Sequence, residues 1–167
     1  MTMSQQTIPA LQNGYAALHL ENLSDEVALP LTTEEKISRI SYHFREIMLA
    51  LGLDLDNDSL KDTPQRVARM YVQETFAGLD PANKPQMALF ENDSTYSEML
   101  IEKNIQLYSY CEHHFVPIVG KVHVAYLPGS RIIGLSKIHK LVRYYARRPQ
   151  VQERLTQQIA QGLKEAL

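Results

Sequence analysis

The chain has 167 residues, of which 44% are hydrophobic, and a formal net charge of −2. That length suits one compact domain with an appendage, and the apolar fraction is enough to build a core. The weak charge argues against nucleic-acid binding through a broad basic field, while leaving room for a local basic pocket that takes a phosphorylated metabolite. No apolar run approaches the ~18 residues that span a bilayer, and Met1 to Ala10 lacks the charged-then-apolar layout of a secretion signal. The single cysteine, Cys111, cannot form an intrachain disulfide, so a cytoplasmic protein without a membrane partner is expected.

Residues 1–31 carry no sustained period and are broken by Pro9, Gly14 and Pro30, which reads as a mobile N-terminal arm. Thr32 and Glu35 form a capping-box pair that should start a helix with the stripe Ile37, Ile40, Phe44, Ile47, Met48 and Leu51, ended by Gly52. A second helix is expected from Thr63-Pro64, cap then first-turn proline, through Val67, Met70 and Tyr71 to Gly78. Residues 81–96 read as loop. Alternation of Ile105, Leu107 and Ser109 against Gln106, Tyr108 and Tyr110 predicts a strand, and Pro117 to Leu127 predicts an antiparallel partner. Arg131 to Gly134 is a short return segment after a turn at Pro128-Gly129-Ser130. Ser136 should cap a helix carrying Ile138, Leu141, Val142 and Tyr145 that Pro149 stops. The last helix has the stripe Val151, Leu155, Ile159 and Leu163. The fold class is therefore α+β, divided into the arm, a helical region over 32–80 and a sheet-and-helix region over 81–167. Two strands are too few to cover both final helices, so a wider sheet, from further sequence or other chains, is expected.

The chemistry concentrates at Cys111-Glu112-His113-His114, in the connection between the two strands. Zinc favours thiolate and imidazole nitrogen, and Cys111 and His114 can supply two of the three protein ligands that a catalytic site normally uses. His113 is then left beside the metal as a proton carrier. A plainer reading makes Cys111 a small buried hydrophobe and the histidines turn residues. No second cysteine exists, and His43, His123 and His139 qualify as a third ligand by residue type alone. Ser136-Lys137 at a helix start offers N–H groups and a cation to phosphate, or is an ordinary cap. Glu153 can accept the paired N–H groups of a guanine edge, or is a first-turn glutamate favoured by the helix dipole.

Four motifs are specific together. They are Thr63-Pro64-Gln65-Arg66-Val67-Ala68-Arg69-Met70-Tyr71, Cys111-Glu112-His113-His114-Phe115-Val116-Pro117, Gly134-Leu135-Ser136-Lys137, and Arg148-Pro149-Gln150-Val151-Gln152-Glu153-Arg154-Leu155. From about Thr32 to Leu167 the chain resembles GTP cyclohydrolase I. The resemblance implies the tunnelling fold, in which antiparallel sheets with helices on one face join side by side into a barrel, here a homodecamer of two pentamers. It implies zinc as cofactor, bound by Cys111 and His114, with His113 moving protons at the imidazole nitrogens of guanine. Gln152 and Glu153 would hold the guanine edge, and Ser136, Lys137, Lys140 and Arg66 would receive the triphosphate. Lys140 stands where the family prefers arginine, so it offers a point charge without a bidentate fork. The implied reaction opens the guanine ring of GTP hydrolytically, giving 7,8-dihydroneopterin triphosphate and formate at the head of folate and tetrahydropterin synthesis.

The family pattern continues past the last helix with two strands that carry a third, cysteine zinc ligand, a further histidine and a phosphate-binding arginine. Their absence here suggests a shortened form of a complete enzyme, and the chain made alone is expected to aggregate or assemble poorly and to be inactive. Two rivals remain: a non-catalytic tunnelling-fold module, and a relative of the queuosine-pathway nitrile reductase, which uses a cysteine nucleophile and NADPH.

Overall fold

Thr32 opens the first helix as a capping box. Its hydroxyl accepts from the Glu35 N–H at 3.2 Å, and the Glu35 carboxylate accepts from the Thr32 N–H at 2.8 Å. The computed structural model describes residues 31–167, so the arm expected over 1–31 lies, apart from Leu31, outside the described residues. Thr32–Leu167 forms one compact unit. Helix α1 spans Thr33–Ala50, and beyond its C-cap Leu51 the chain turns at Gly52, whose φ of 76° suits a residue without a Cβ. Only part of its apolar stripe is covered: Ile37 and Met48 are buried, whereas Ile47 and Leu51 are 52% and 71% exposed.

Helix α2 spans Thr63–Met70 with Pro64 in its first turn. The cap position belongs to Asp62, one residue before the expected Thr63, and no side chain bonds there. The helix also does not run on evenly to Gly78. Residues Tyr71–Thr75 widen into a π turn closed by Phe76 N–H to Tyr71 carbonyl at 2.9 Å, followed by a 3-10 turn at Ala77–Leu79. The widening brings Gly78 against the end of a later helix, where its N–H donates to the Arg147 carbonyl at 2.9 Å. A Cβ at Gly78 would meet the Tyr144 carbonyl oxygen at 2.0 Å, so only glycine allows this approach.

The stretch 81–96 is not all loop. It contains a 3-10 turn at Pro81–Asn83 and strand β1, Leu89–Glu91, which pairs antiparallel with strand β4, Arg131–Ile133. A separate three-stranded sheet carries the chemistry. Its central strand β2 spans Leu100–Cys111, longer than alternation suggests, because an irregularity between Glu102 and Ile105, with Asn104 at φ 61°, breaks the period. After it, Ile105, Leu107 and Ser109 point inward and are buried. Strand β3, Pro117–Tyr126, pairs antiparallel with β2, placing Tyr110 opposite Pro117 and Ile105 opposite Val122. The two-residue strand β5, Pro149–Gln150, runs parallel to the end of β2, with Gln150 beside Cys111.

Helix α3, Leu135–Ala146, begins at Gly134, so Ser136 lies inside the first turn and does not cap it. Helix α4 spans Gln152–Lys164. Helix α3 packs onto β2 and α4 packs onto α3, in one core that includes Ile138, Leu141, Val142, Leu155, Ile159 and Leu163. Burial of such side chains contributes about 1.5–3 kcal/mol each. The expectation that the α4 stripe lacks cover is corrected: Leu155, Ile159 and Leu163 are 6%, 5% and 8% exposed. Gly162 lets α3 and α4 approach, since a Cβ there would stand 2.9 Å from the Tyr145 ring. Where the buried face of β2 meets the end of α3, the Ser109 hydroxyl donates to the Ala146 carbonyl at 2.7 Å. The architecture is α+β with antiparallel pairings dominant and one short parallel pairing at β5.

Candidate active site

Residues Cys111 to Val116 close the β2–β3 connection. The Cys111 N–H donates to the Val116 carbonyl at 2.9 Å, and the Phe115 N–H donates back to the Cys111 carbonyl at 2.8 Å. Phe115 takes φ 55°, a left-handed conformation that reverses the chain in few residues. The tight reversal gathers three donors. Sγ of Cys111 lies 3.8 Å from Nδ1 of His113 and 3.8 Å from Nδ1 of His114. The backbone N–H of His113 holds the Cys111 thiol below its ordinary pKa range, with the N–H of His114 adding to this and burial opposing it. A thiolate with adjacent imidazoles is the donor chemistry zinc prefers, and tetrahedral zinc separates a sulfur from a nitrogen ligand by about 3.5 Å. The pair thus fits two corners of a zinc site. Among the described residues no group of three His, Cys, Asp or Glu side chains is arranged around one metal position. His139 is paired with Glu102 at 2.9 Å, and the His123 ring faces the Asn104 N–H at 3.4 Å. His43 stacks edge-on with Tyr42 on α1.

The two histidines differ in what their other nitrogens meet. Nε2 of His113 stands 3.7 Å from Oε1 of Glu112. The other Glu112 oxygen is held by Arg154 on α4, and the Glu112 N–H donates to the Gln150 carbonyl at 3.1 Å. Pairing of β5 with β2 is what seats the turn beside the first turn of α4. That places Gln152 and Glu153, both exposed, two and three residues beyond the Gln150 that flanks Cys111. Gln152 also lines a cleft of about 490 Å³ between β3 and α4.

The expected phosphate residues fall in two places. Ser136, Lys137 and Lys140 lie in the first two turns of α3, whose start no side chain caps. Lys140 continues along that helix with Arg143 and Arg147 into a cleft of about 270 Å³ that Gln73 and Tyr144 also line. Arg66 is turned onto the start of its own helix, donating to the Ser59 carbonyl and the Thr63 hydroxyl, each at 2.9 Å.

A family model for GTP cyclohydrolase I matches residues 40–167. The chain belongs to the GTP cyclohydrolase I family. It is 48% identical over 167 residues to a Flavobacterium johnsoniae protein named GTP cyclohydrolase 1, covering 100% of this chain and 75% of that protein. It is 52% identical over 153 residues to the Aeromonas hydrophila protein of the same name, covering 91% of this chain and 70% of the relative. For the Vibrio cholerae protein of that name the identity is 55% over 136 residues, covering 81% and 63% respectively. Membership in this enzyme family favours a GTP cyclohydrolase I over a non-catalytic module and over a nitrile reductase.

Residue-type reasoning missed Gln150 and Arg154. Gln150 is 1% exposed and donates to the Tyr145 carbonyl and to Oε1 of Gln158, both at 2.8 Å. Arg154 donates to Oε1 of Gln150 at 3.2 Å and to the Pro149 carbonyl at 3.1 Å. The available signal was the cluster of Gln150, Gln152, Glu153 and Arg154 just after a proline, which does not say what each side chain meets.

Proposed function

We propose that the protein opens the guanine ring of GTP as a zinc-dependent GTP cyclohydrolase I, releasing formate and yielding 7,8-dihydroneopterin triphosphate. The observation that carries this reading is the pairing of Cys111 with Gln150, which joins the turn holding thiolate and imidazoles to the start of α4. Cys111 and His114 would hold zinc, which supplies Lewis-acid polarisation of water at neutral pH. Glu153 accepts the ring N–H and exocyclic amine of guanine, with Gln152 beside it. Ser136, Lys137 and Lys140 offer the uncapped start of α3 and two cations to the triphosphate, and Arg66 adds a third once released from its local contacts. His113 donates a proton to the departing imidazole-ring nitrogen of the purine, with the Glu112 carboxylate 3.7 Å from its Nε2.

The tunnelling fold and a homodecamer of two pentamers belong to the same reading. They are supported by β3 standing at the edge of its sheet with Val119 70% exposed, and by the uncovered Ile47 and Leu51 on α1. A cytoplasmic enzyme is consistent with the finding that no described helix is long and apolar enough to cross a membrane. Incubating the zinc-supplemented protein with GTP should release one formate per GTP consumed, without oxidation of added NADPH. Consumption of NADPH, or GTP left intact, would contradict the assignment.

A further inference from the structure

We propose that Arg154 is a positioning residue that latches the Cys111–His114 turn onto the first turn of α4, so that the metal-binding and guanine-binding groups keep one fixed separation. The inference rests on the functional reading above. Three acceptors converge on this guanidinium from two segments: a Glu112 carboxylate oxygen in the turn, and Oε1 of Gln150 with the Pro149 carbonyl in β5. Only arginine presents enough donors in a fixed plane to serve all three, because a lysine ammonium offers a point charge without the fork. Arg154 itself follows Glu153 directly, so any movement of the latch moves the residue assigned to the guanine edge.

The latch has two further consequences. Glu112 is bound at one oxygen by Arg154 while its other oxygen stands 3.7 Å from Nε2 of His113, so the place of the carboxylate beside His113 is set from α4. The Gln150 amide that Arg154 grips is buried and tied to Tyr145 and Gln158, which makes the far end of the latch rigid. The side chains of Arg154 and Glu112 are 42% and 29% exposed. A surface pair of that kind contributes little to overall stability, so folding alone does not need it.

A double-mutant cycle with Glu112→Gln and Arg154→Met tests the role on the full chain loaded with zinc. Each single variant should lower kcat roughly 10–100-fold, as loss of a partner behind a metal-site residue does. KM for GTP should change less than about threefold, and the double variant should be no slower than the slower single variant by more than about twofold. Amide exchange supplies a readout without turnover: in Arg154→Met the Glu112 and Phe115 amides should exchange at least about tenfold faster, while Leu107 in β2 stays unchanged. Should Arg154→Met fail to fold, Arg154→Lys keeps the charge and should fall between wild type and Glu112→Gln in kcat. Multiplicative effects, a rise in KM alone, or unchanged exchange in the turn would each overturn the proposal. A wild-type protein that leaves GTP intact counts against the functional reading instead, and the exchange arm still decides whether Arg154 fixes the turn.

Discussion

The ring of Phe115 meets that of Phe76 edge-on, with centroids 5.2 Å apart, although Phe115 holds its backbone at φ 55°. A left-handed conformation costs an ordinary residue about 1–2 kcal/mol. The aromatic contact offsets part of that, and Phe76 passes the support on to Tyr110 and Tyr71 at 5.7 and 5.3 Å. Phe76, which closes the π turn after α2, therefore braces the Cys111 turn through this ring contact.

This bracing predicts opposite contributions from one position. Phe115→Ala loses the ring contact and keeps the strain, whereas Phe115→Gly loses the contact and relieves the strain. The glycine variant should melt above the alanine variant, although glycine is normally the less stable choice. Thermal unfolding of the pair checks this, and a lower midpoint for Phe115→Gly would contradict it.

Ser109 is 1% exposed, and its hydroxyl binds the Ala146 carbonyl at 2.7 Å. Ser109→Ala removes the donor and leaves that carbonyl short of a partner, at a cost of about 1–3 kcal/mol. Denaturant unfolding should show a lower midpoint with an unchanged slope. An unchanged midpoint would mean that the bond adds nothing.

Lys84 and Glu165 tie the Pro81–Asn83 segment to the end of α4 at 3.0 Å. The hydrogen bond from Lys84 holds the Glu165 carboxyl below its ordinary 4.5, so its contribution is complete above that value and is lost as pH falls through the lowered one. The hydrogen bond to Glu165 raises Lys84 above 10.5, so its contribution is complete below that value and is lost as pH rises through the raised one. Both groups are exposed, so the effect is small. The stability difference between wild type and Lys84→Met should be flat from about pH 6 to about pH 9 and shrink in acid. A difference that grows on acidification would reverse the sign.

Much of this was legible in the sequence, for reasons specific to each element. The Thr32–Glu35 box, the inward Ile105, Leu107 and Ser109, and the hairpin that presents Cys111 are all local patterns, and all appear in the structure. The two-residue β5 and the three-residue β1 were not legible, because so short a strand exists only through its partner across space. The π turn at Tyr71–Thr75 was hidden because its apolar spacing looks like a continuing helix; the demand comes from Gly78 docking on Arg147. The closeness of Cys111, His113 and His114 was visible in their spacing along the chain. The latch of Glu112 on Arg154 was not, since nothing local relates residues so far apart in the chain.

The division of labour between the adjacent histidines is the sharpest functional expectation. His113→Ala should keep its zinc and lose at least ~10²-fold in turnover, as loss of a general acid–base group does. His114→Ala should lose the metal. Zinc lost from His113→Ala and kept by His114→Ala would exchange the two roles.

Zinc content of the purified wild-type protein and of Cys111→Ala, determined together by elemental analysis, tests the central claim most directly. The thiolate is the strongest zinc donor in the turn, and residues 1–167 contain no other cysteine. Wild type should carry about one zinc per chain and Cys111→Ala essentially none. A Cys111→Ala protein with the full zinc content of wild type would place the metal elsewhere and contradict the account of the Cys111 turn.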